Sequence, residues 1–289
     1  MLSVAVCTLD RAAKLANCLE SLARMRVPEG VAWELIVVDN GSTDGTADLL
    51  RDVEARGVLP LRRCLEPRRG LCLARNLAVS IARGDVIAFT DDDCRVSEDW
   101  LGVLAEKFAG DSGPWFLGGR VELFNPADRP LAVRTGREPL DLTGTTRAFD
   151  VLIGCNMAIR REAFRRVGDF DPRLGPGSAA PAWEETDLIY RLVRLGVPMR
   201  YTPDWLIYHD HGRATDAQAE ATQYAYMKGR GGFYAKHVLR GDGFMVRMHF
   251  WDLRQLLGDL VDRAKCRESL TLLSALLRGF VRYIFPHRT

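Results

Sequence analysis

The sequence predicts an α/β fold, a mostly parallel central sheet flanked by helices, followed by a helical C-terminal extension. Three observations carry this reading. Strand-like and helix-like apolar periods alternate through the first hundred residues, the strand-like runs end in polar and mostly acidic residues, and from Ala214 onward the periodicity is helical.

The elements follow in order. Val4-Ala5-Val6-Cys7 is the first strand and Leu15 to Leu22 the first helix; Leu35-Ile36-Val37-Val38 is the second strand and Ala47 to Val53 the second helix. A shorter run near Leu59-Pro60-Leu61, a helix over Leu73 to Ala82 and a strand over Val86 to Phe89 complete a βαβαβαβ rhythm. In parallel sheets, ligands gather outside the carboxyl ends of the strands. Here those ends carry Thr8 and Asp10, then Asp39-Asn40, then Asp91-Asp92-Asp93.

Between about Asp111 and Asp150 the pattern breaks into Gly, Pro and mixed charge, an irregular stretch of a length that more often serves function than connection. Order returns at Ile153 to Ile159. A Gly/Pro-rich stretch, Gly175 to Pro181, leads into Trp183-Glu184-Glu185-Thr186-Asp187 and a helical period through Leu188, Leu192 and Leu195, stopped by Gly196 and Pro198. Met199-Arg200-Tyr201 is again strand-like and precedes Tyr208-His209-Asp210-His211. In the extension, Leu253, Leu256, Leu257, Leu260 and Val261 share one stripe, and Leu273, Leu276, Leu277, Phe280, Val281 and Ile284 share another. Arg278 and Arg282 keep the second stripe from spanning a bilayer.

Composition bounds the function. With 289 residues and 47% hydrophobic content, the chain buries a substantial core. Its seven cysteines are odd in number and scattered, which fits reduced thiols in a cytoplasmic protein rather than a disulfide framework or a zinc site. The N-terminus runs straight into a strand, so no secretion signal is expected. The net charge of +2 divides unevenly: residues 228–289 hold 12 Lys and Arg against 5 Asp and Glu, leaving 28 against 33 in the rest. Such a basic tail suits an anionic partner such as a membrane surface, or serves as an ordinary solvated helical face. It carries no nucleic-acid recognition motif, so no nucleic-acid partner is expected.

The acid triplet Asp91-Asp92-Asp93 packs like charges at the end of a buried strand. A divalent cation relieves that repulsion, and carboxylate oxygens suit Mg2+ or Mn2+; alone, the triplet also reads as a solvated turn before Ser97-Glu98-Asp99-Trp100. Alternation along an extended strand end turns Asp92 away from Asp91 and Asp93. The decapeptide from Val37 to Thr46 is largely turn chemistry, with Asn40-Gly41 for the bend and Thr43 or Asp44 as a helix cap.

Taken together, these segments resemble the family 2 glycosyltransferases, which have the GT-A fold and move a sugar from a nucleotide diphosphate to an acceptor hydroxyl. The resemblance covers roughly residues 2–212, giving a catalytic domain over 1–212 and a helical extension over 213–289. Thr8-Leu9-Asp10-Arg11 is similar to the first nucleotide loop, although Asp10 stands where Asn is more usual. Asp39 matches the acid that contacts base or ribose, and Gly70-Leu71-Cys72-Leu73-Ala74-Arg75-Asn76 the segment beside the base. Asp91-Asp92-Asp93 is similar to the DxD motif, which implies a ribose contact for Asp91 and metal ligation for Asp93. Donor nucleotide contacts are thus implied for Thr8, Asp10, Arg11, Asp39, Arg75, Asp91 and Asp92, and metal ligation for Asp93 and Asp91 with His209 as first choice and His211 in reserve. Gly154 and Asn156 match a segment near the donor sugar, with Trp183 and Asp187 also implied at donor sugar or acceptor; a tight strand end with a satisfied Asn explains the first two nearly as well.

The resemblance also implies chemistry. Charge gathers on the departing diphosphate, and Mn2+ or Mg2+ bridging its phosphates stabilises it. Glu184-Glu185-Thr186-Asp187 matches a Glu-Asp-x-Asp segment whose second acid accepts the acceptor's proton, so Glu185 is the expected base and Glu184 the alternative. Glu185 is one methylene longer than the usual Asp. Near helix geometry puts Glu184 and Asp187 on one face and Glu185 on another. The expected activity is inverting, metal-dependent transfer from a nucleotide-diphospho-sugar, with UDP-sugars ranked first, to a saccharide or lipid-linked acceptor in cell-surface polysaccharide or glycolipid synthesis. The competing reading is a non-catalytic nucleotide-sugar-binding protein or membrane scaffold. The expected place is cytoplasmic, with the C-terminal helices peripheral on the cytoplasmic membrane face or packed on the domain.

Overall fold

The structure, a computed structural model, describes residues 1–110 and 113–285. Asp111, the expected start of the irregular stretch, and the last four residues of the extension lie outside the described residues. The chain forms two compact units: Met1–Arg69, Leu73–Asp169 and Leu188–Ala214 in the first, and Gly70–Cys72, Phe170–Asp187 and the segment from Thr215 onward in the second.

Unit 1 holds β1 (Leu2–Thr8), α1 (Ala12–Ala23), β2 (Trp33–Asp39), α2 (Thr46–Arg56), β3 (Leu61–Leu65), α3 (Leu71–Ile81), β4 (Val86–Asp91), β5 (Cys94–Val96), α4 (Trp100–Lys107), β6 (Phe116–Leu123), β7 (Leu140–Asp141), α5 (Ala148–Val151), β8 (Asn156–Arg160), α6 (Arg161–Val167), α7 (Glu184–Leu195) and β9 (Met199–His209). The first residues of α3 and α7 belong to unit 2. One sheet runs β3-β2-β1-β4-β8-β6-β9-β5, with β7 on β9.

The first four strands in that order are parallel, as the βα rhythm predicts. The centres of β1, β2 and β4 are apolar on both faces, with Val4, Val6, Leu35, Val37 and Ala88 fully buried in one core with Leu15, Trp100 and Trp205. Ala5, Ile36 and Ile87 are buried opposite, whereas β3 carries Arg62 and Arg63 at the sheet edge. Beyond β4 the sheet turns mixed: β8 pairs antiparallel with β4 and β6, β5 and β7 pair antiparallel with β9, and β6 pairs parallel with β9. Register fixes the functional edge. Thr8 on β1 stands beside Asp39 on β2, and Cys7 beside Asp91 on β4.

The stretch from 111 to 150 is more ordered than its composition suggests, because β6 lies inside it as an eight-residue strand. Gly118-Gly119 hides the strand pattern. A Cβ on Gly119 would come within 2.2 Å of both the Trp205 carbonyl oxygen and Asn156 Nδ2, so glycine is what lets β6 sit in the crowded middle of the sheet.

Unit 2 is built on α8 (Asp216–Val238), α9 (Gly243–Asp259) and α10 (Cys266–Ile284). Thr215 opens α8 with a reciprocal capping box to Gln218. Phe170–Asp187 belongs to this unit rather than to the expected 1–212 domain. The physical reason is its packing: Leu174 and Ala180 share a core with Ala235 of α8 and Tyr283 of α10. Each leucine stripe of the extension is split, with Leu256 and Leu276 buried but Leu257, Val261, Leu277 and Val281 exposed.

Candidate active site

In unit 1 the polar strand ends converge. β4 stops at Asp91 and the chain turns, so Asp92 and Asp93 leave the strand pattern; the expectation that alternation turns Asp92 away fails for this reason. Both acids are buried and accept from one Arg11 nitrogen, Nη1, at 2.8 Å (Asp92 Oδ1) and 3.0 Å (Asp93 Oδ2). Thr8 Oγ1 donates to the other Asp92 oxygen at 2.8 Å. Arg11 is therefore the resident counter-charge of the pair.

His209, the last residue of β9, sits opposite Cys94 across the β5–β9 pairing, which brings its Nε2 to 3.4 Å from Asp93 Oδ1. Its Nδ1 faces the Ala132 carbonyl oxygen at 3.4 Å. Ligand atoms of Asp93, Cys94 and His209 all lie within 4.8 Å of one another. Burial alone would raise the Asp93 pKa, but the hydrogen bond and charge of His209, with Arg11, hold it down at about 2. Burial likewise opposes charge on His209, yet Cys155 and Asp93 outweigh it and push the imidazole up to about 9. Asp92 goes the other way: burial pushes it up to about 6 against the pull of Arg11.

A carboxylate and an imidazole at this spacing are a donor set that suits a divalent metal ion. The Cys94 thiol is the poorest of the three donors, because burial drives its pKa well above the ordinary range and keeps it protonated. His211 is also buried. Its Nδ1 accepts from the Arg213 N–H at 2.9 Å and lies 3.5 Å from Asp128, while its Nε2 makes no hydrogen bond among the described residues. The two imidazoles meet edge to face at 4.9 Å.

The remaining nucleotide candidates frame this centre. Arg75 is buried and donates to Asp91 at 3.2 Å, leaving Asp91 half-exposed at the strand tip. Asp39 accepts from the Ser42 N–H at 2.8 Å, closing the turn that its Asn-Gly neighbour predicts. Asp10 has a left-handed φ of 53° and accepts from Thr43 N and Oγ1, which hold its carboxyl below the usual range. It braces the loop rather than presenting a free carboxylate.

Asn156 is fully buried, donates to the Arg120 and Trp205 carbonyl oxygens and accepts from Trp100 Nε1 at 3.0 Å, so both amide hydrogens serve the sheet, the arrangement of a satisfied Asn at a strand end. Gly154 beside it is buried. Lys14 and Arg95 were not legible as part of this region. They pair with Asp210 at 2.7 and 3.5 Å and anchor the chain just after His209. A basic residue on a helix or strand gives no sign of such a distant partner.

In unit 2, Trp183 precedes α7 with a left-handed φ of 74°. It packs 5.3 Å from Phe233, with the Arg230 guanidinium 5.2 Å over its ring. Glu184 and Asp187 are buried and Glu185 half-buried, the division of faces that helix geometry predicts. Gly175 leaves room for Glu184, since a Cβ there would be 2.9 Å from its Oε2. Asp187 is fully buried, and its oxygens accept from Lys236 Nζ at 2.7 Å and pair with His237 Nε2 at 2.9 Å. These bonds commit it to the interior rather than to donor sugar or acceptor. Glu185 differs from both neighbours: its Oε2 is shut off from solvent and has no hydrogen-bond partner among the described residues.

Comparison with known proteins agrees with the fold. The chain is 29% identical over 209 residues to the succinoglycan biosynthesis protein ExoM of Rhizobium meliloti, covering 70% of this chain and 64% of ExoM. It is 26% identical over 176 residues to the glycosyltransferase AglE of Haloferax volcanii, covering 61% of this chain and 57% of AglE. The match thus spans under two thirds of either relative. Among solved structures, S. aureus TarS in complex with UDP-GlcNAc superposes with a TM-score of 0.65 at 19% identity, over 98% of this chain and 81% of that one. The mannosyltransferase PcManGT from Pyrobaculum calidifontis, in complex with GDP-Man and Mn2+, gives 0.64 at 17% identity, over 99% and 88%. The fold is the GT-A type expected from the motifs. The family model described as glycosyl transferase family 2 matches residues 3–168, more than half of the sequence, and the chain belongs to that family.

Proposed function

We propose that the protein is an inverting glycosyltransferase that moves a sugar from a nucleotide-diphosphate donor, a UDP-sugar first, to an acceptor hydroxyl in cell-surface polysaccharide or glycolipid synthesis. The observation that carries this is the buried Asp93–His209 pair, set beside Asp91 at the edge where the parallel strands end. Asp93 and His209, with Asp91 at the strand tip, would hold Mn2+ or Mg2+, and that ion supplies Lewis-acid stabilisation to a departing diphosphate. Asp39 and Arg75 serve base and ribose, and Arg11 and Thr8 keep Asp92 and Asp93 in place. Glu185 accepts the acceptor's proton through its unpartnered oxygen. A single displacement of this kind inverts the anomeric centre.

Two relatives support the acceptor class. ExoM carries succinoglycan biosynthesis in its name, and a further relative at 25% identity over 185 residues is the glucosyl-dolichyl phosphate glucuronosyltransferase of Haloferax volcanii. These names support a saccharide or lipid-linked acceptor for this chain. A cytoplasmic location completes the reading; all seven cysteines are free, as in a reducing compartment.

The test is a donor panel of UDP-, GDP- and dTDP-sugars with Mn2+, Mg2+ or EDTA, read as released nucleoside diphosphate, with the product anomer assigned by NMR. Metal-dependent release from one donor class and inverted product are expected. Release unaffected by EDTA, or retained configuration, overturns the corresponding part.

A further inference from the structure

We propose that the outer face of α9 in unit 2 docks on an anionic lipid bilayer. On this helix the buried side is the row Met245, Asp252 and Leu256. Round from it, Val246, Phe250 and Leu257 form one exposed row, and Arg247, Trp251 and Arg254 the next. Phe250 is 72% exposed and Trp251 56%, which is unusual for aromatic side chains of this size in a well-packed helix. Neither acid of α9 enters these rows, because Asp252 is buried and Asp259 lies seven residues on, along the same side. The exposed rows of α9 are therefore apolar and cationic, and neither of the helix's own acids enters them.

α10 repeats the arrangement. Ser269, Leu276 and Tyr283 form its buried row, Leu270, Leu277 and Val281 an exposed apolar row, and Arg278 and Arg282 flank it. An apolar row bordered by arginines suits the boundary between acyl chains and headgroups. The aromatic and aliphatic groups enter the boundary, while guanidinium heads reach back to phosphate. No described helix is long and apolar enough to cross a membrane, so the contact proposed is in the plane of the interface.

Charge decides between occupants. A second copy of this chain would bring one arginine row against another, whereas a bilayer carrying anionic headgroups matches both rows at once. The inference rests on unit 2 alone and does not depend on the proposed reaction.

The experiment is cosedimentation of the full chain with vesicles of phosphatidylcholine alone and of phosphatidylcholine mixed with phosphatidylglycerol, at low and high salt. The chain should pellet with the mixed vesicles at low salt, partly release at high salt and ignore the neutral ones. Phe250→Ser with Trp251→Ser should weaken binding at least about ten-fold. Arg247→Gln and Arg254→Gln should each weaken it about five-fold. All four positions are exposed, and unchanged thermal unfolding confirms that the variants report on the surface. Failure to pellet with anionic vesicles at low salt, or equal pelleting by the aromatic variant, overturns the proposal. So does analytical ultracentrifugation showing a dimer that the aromatic variant converts to monomer, since the face is then a self-interface.

Discussion

Arg11 and Asp93 are joined by a charged hydrogen bond of 3.0 Å, on the carboxylate whose other oxygen lies 3.4 Å from His209. One acid is thus shared between a guanidinium and an imidazole. A cation entering beside His209 must compete with a positive charge already in place, and a diphosphate offers Arg11 another anion to hold.

Arg11→Ala should therefore tighten Mn2+ binding in the absence of nucleotide by about ten-fold, the loss of one charge-assisted competitor, while weakening UDP binding. Electron paramagnetic resonance of free Mn2+ reads the first and calorimetry the second. Weaker Mn2+ binding by the variant would show that Arg11 shapes the acid pair rather than competing for it.

Glu185→Gln keeps the shape of the side chain and removes the proton acceptor. Transfer should fall by roughly a hundred- to ten-thousand-fold with donor affinity unchanged. Glu184→Gln, at a buried position against Gly175, should act mainly on stability. If Glu184→Gln proves the more damaging to turnover in a protein that still melts normally, the two roles are exchanged.

Asp171 supplies a pH signature for unit 2. It accepts from Tyr283 at 2.7 Å and faces Lys236 at 3.2 Å. Burial would raise its pKa, but the Arg173 hydrogen bonds, the Lys236 charge and Tyr283 together hold it well below the ordinary carboxylate value of 3.8. A depressed carboxyl contributes stability above its unfolded value and loses it as pH falls toward the folded one. Asp171→Asn should cost about 1.5–3 kcal/mol near neutral pH, with the gap to wild type closing below about pH 4. Parallel melting curves at stepped pH measure this, and a gap independent of pH refutes it.

Gly119→Ala tests the crowding in the middle of the sheet. With the new methyl aimed at a carbonyl oxygen and at Asn156, a cost of about 1–3 kcal/mol is expected from overpacking. Urea denaturation should show a lower midpoint with an unchanged slope. An unaffected midpoint would mean that β6 shifts freely at its register change between Gly119 and Arg120.

The parallel part of the sheet was legible because β1, β2 and β4 are short apolar runs with polar ends, and that same punctuation marks Thr8, Asp39 and Asp91. His209 is marked only by the resemblance, which implies a histidine there; the strand-like run in the sequence stops at Tyr201, whereas β9 runs on to His209. Other features depend on partners far along the chain, which no local period records. The double glycine conceals β6, and Asn156 resembles a ligand residue until Trp100 and Trp205 are seen to consume its hydrogen bonds. The fate of Asp187 is set by Lys236 and His237, about fifty residues later. Cys94 has no paired spacing to mark it in the sequence, whereas its place beside Asp93 follows from the turn after β4.

The pairing of β5 with β9 also dictates an order of events. The three aspartates and Arg11 leave the ribosome early, but the imidazole arrives with β9: Arg95 and Asp210, bridged across that pairing, are 115 residues apart. Contacts of such separation close late, and a chain emerges from its N-terminus first. A nascent chain therefore passes through a stage in which Arg11 and Arg75, without His209, balance the acid cluster. Completion of the sheet's far edge, rather than synthesis of the acidic motif, is the moment at which the Asp93–His209 pair comes into being.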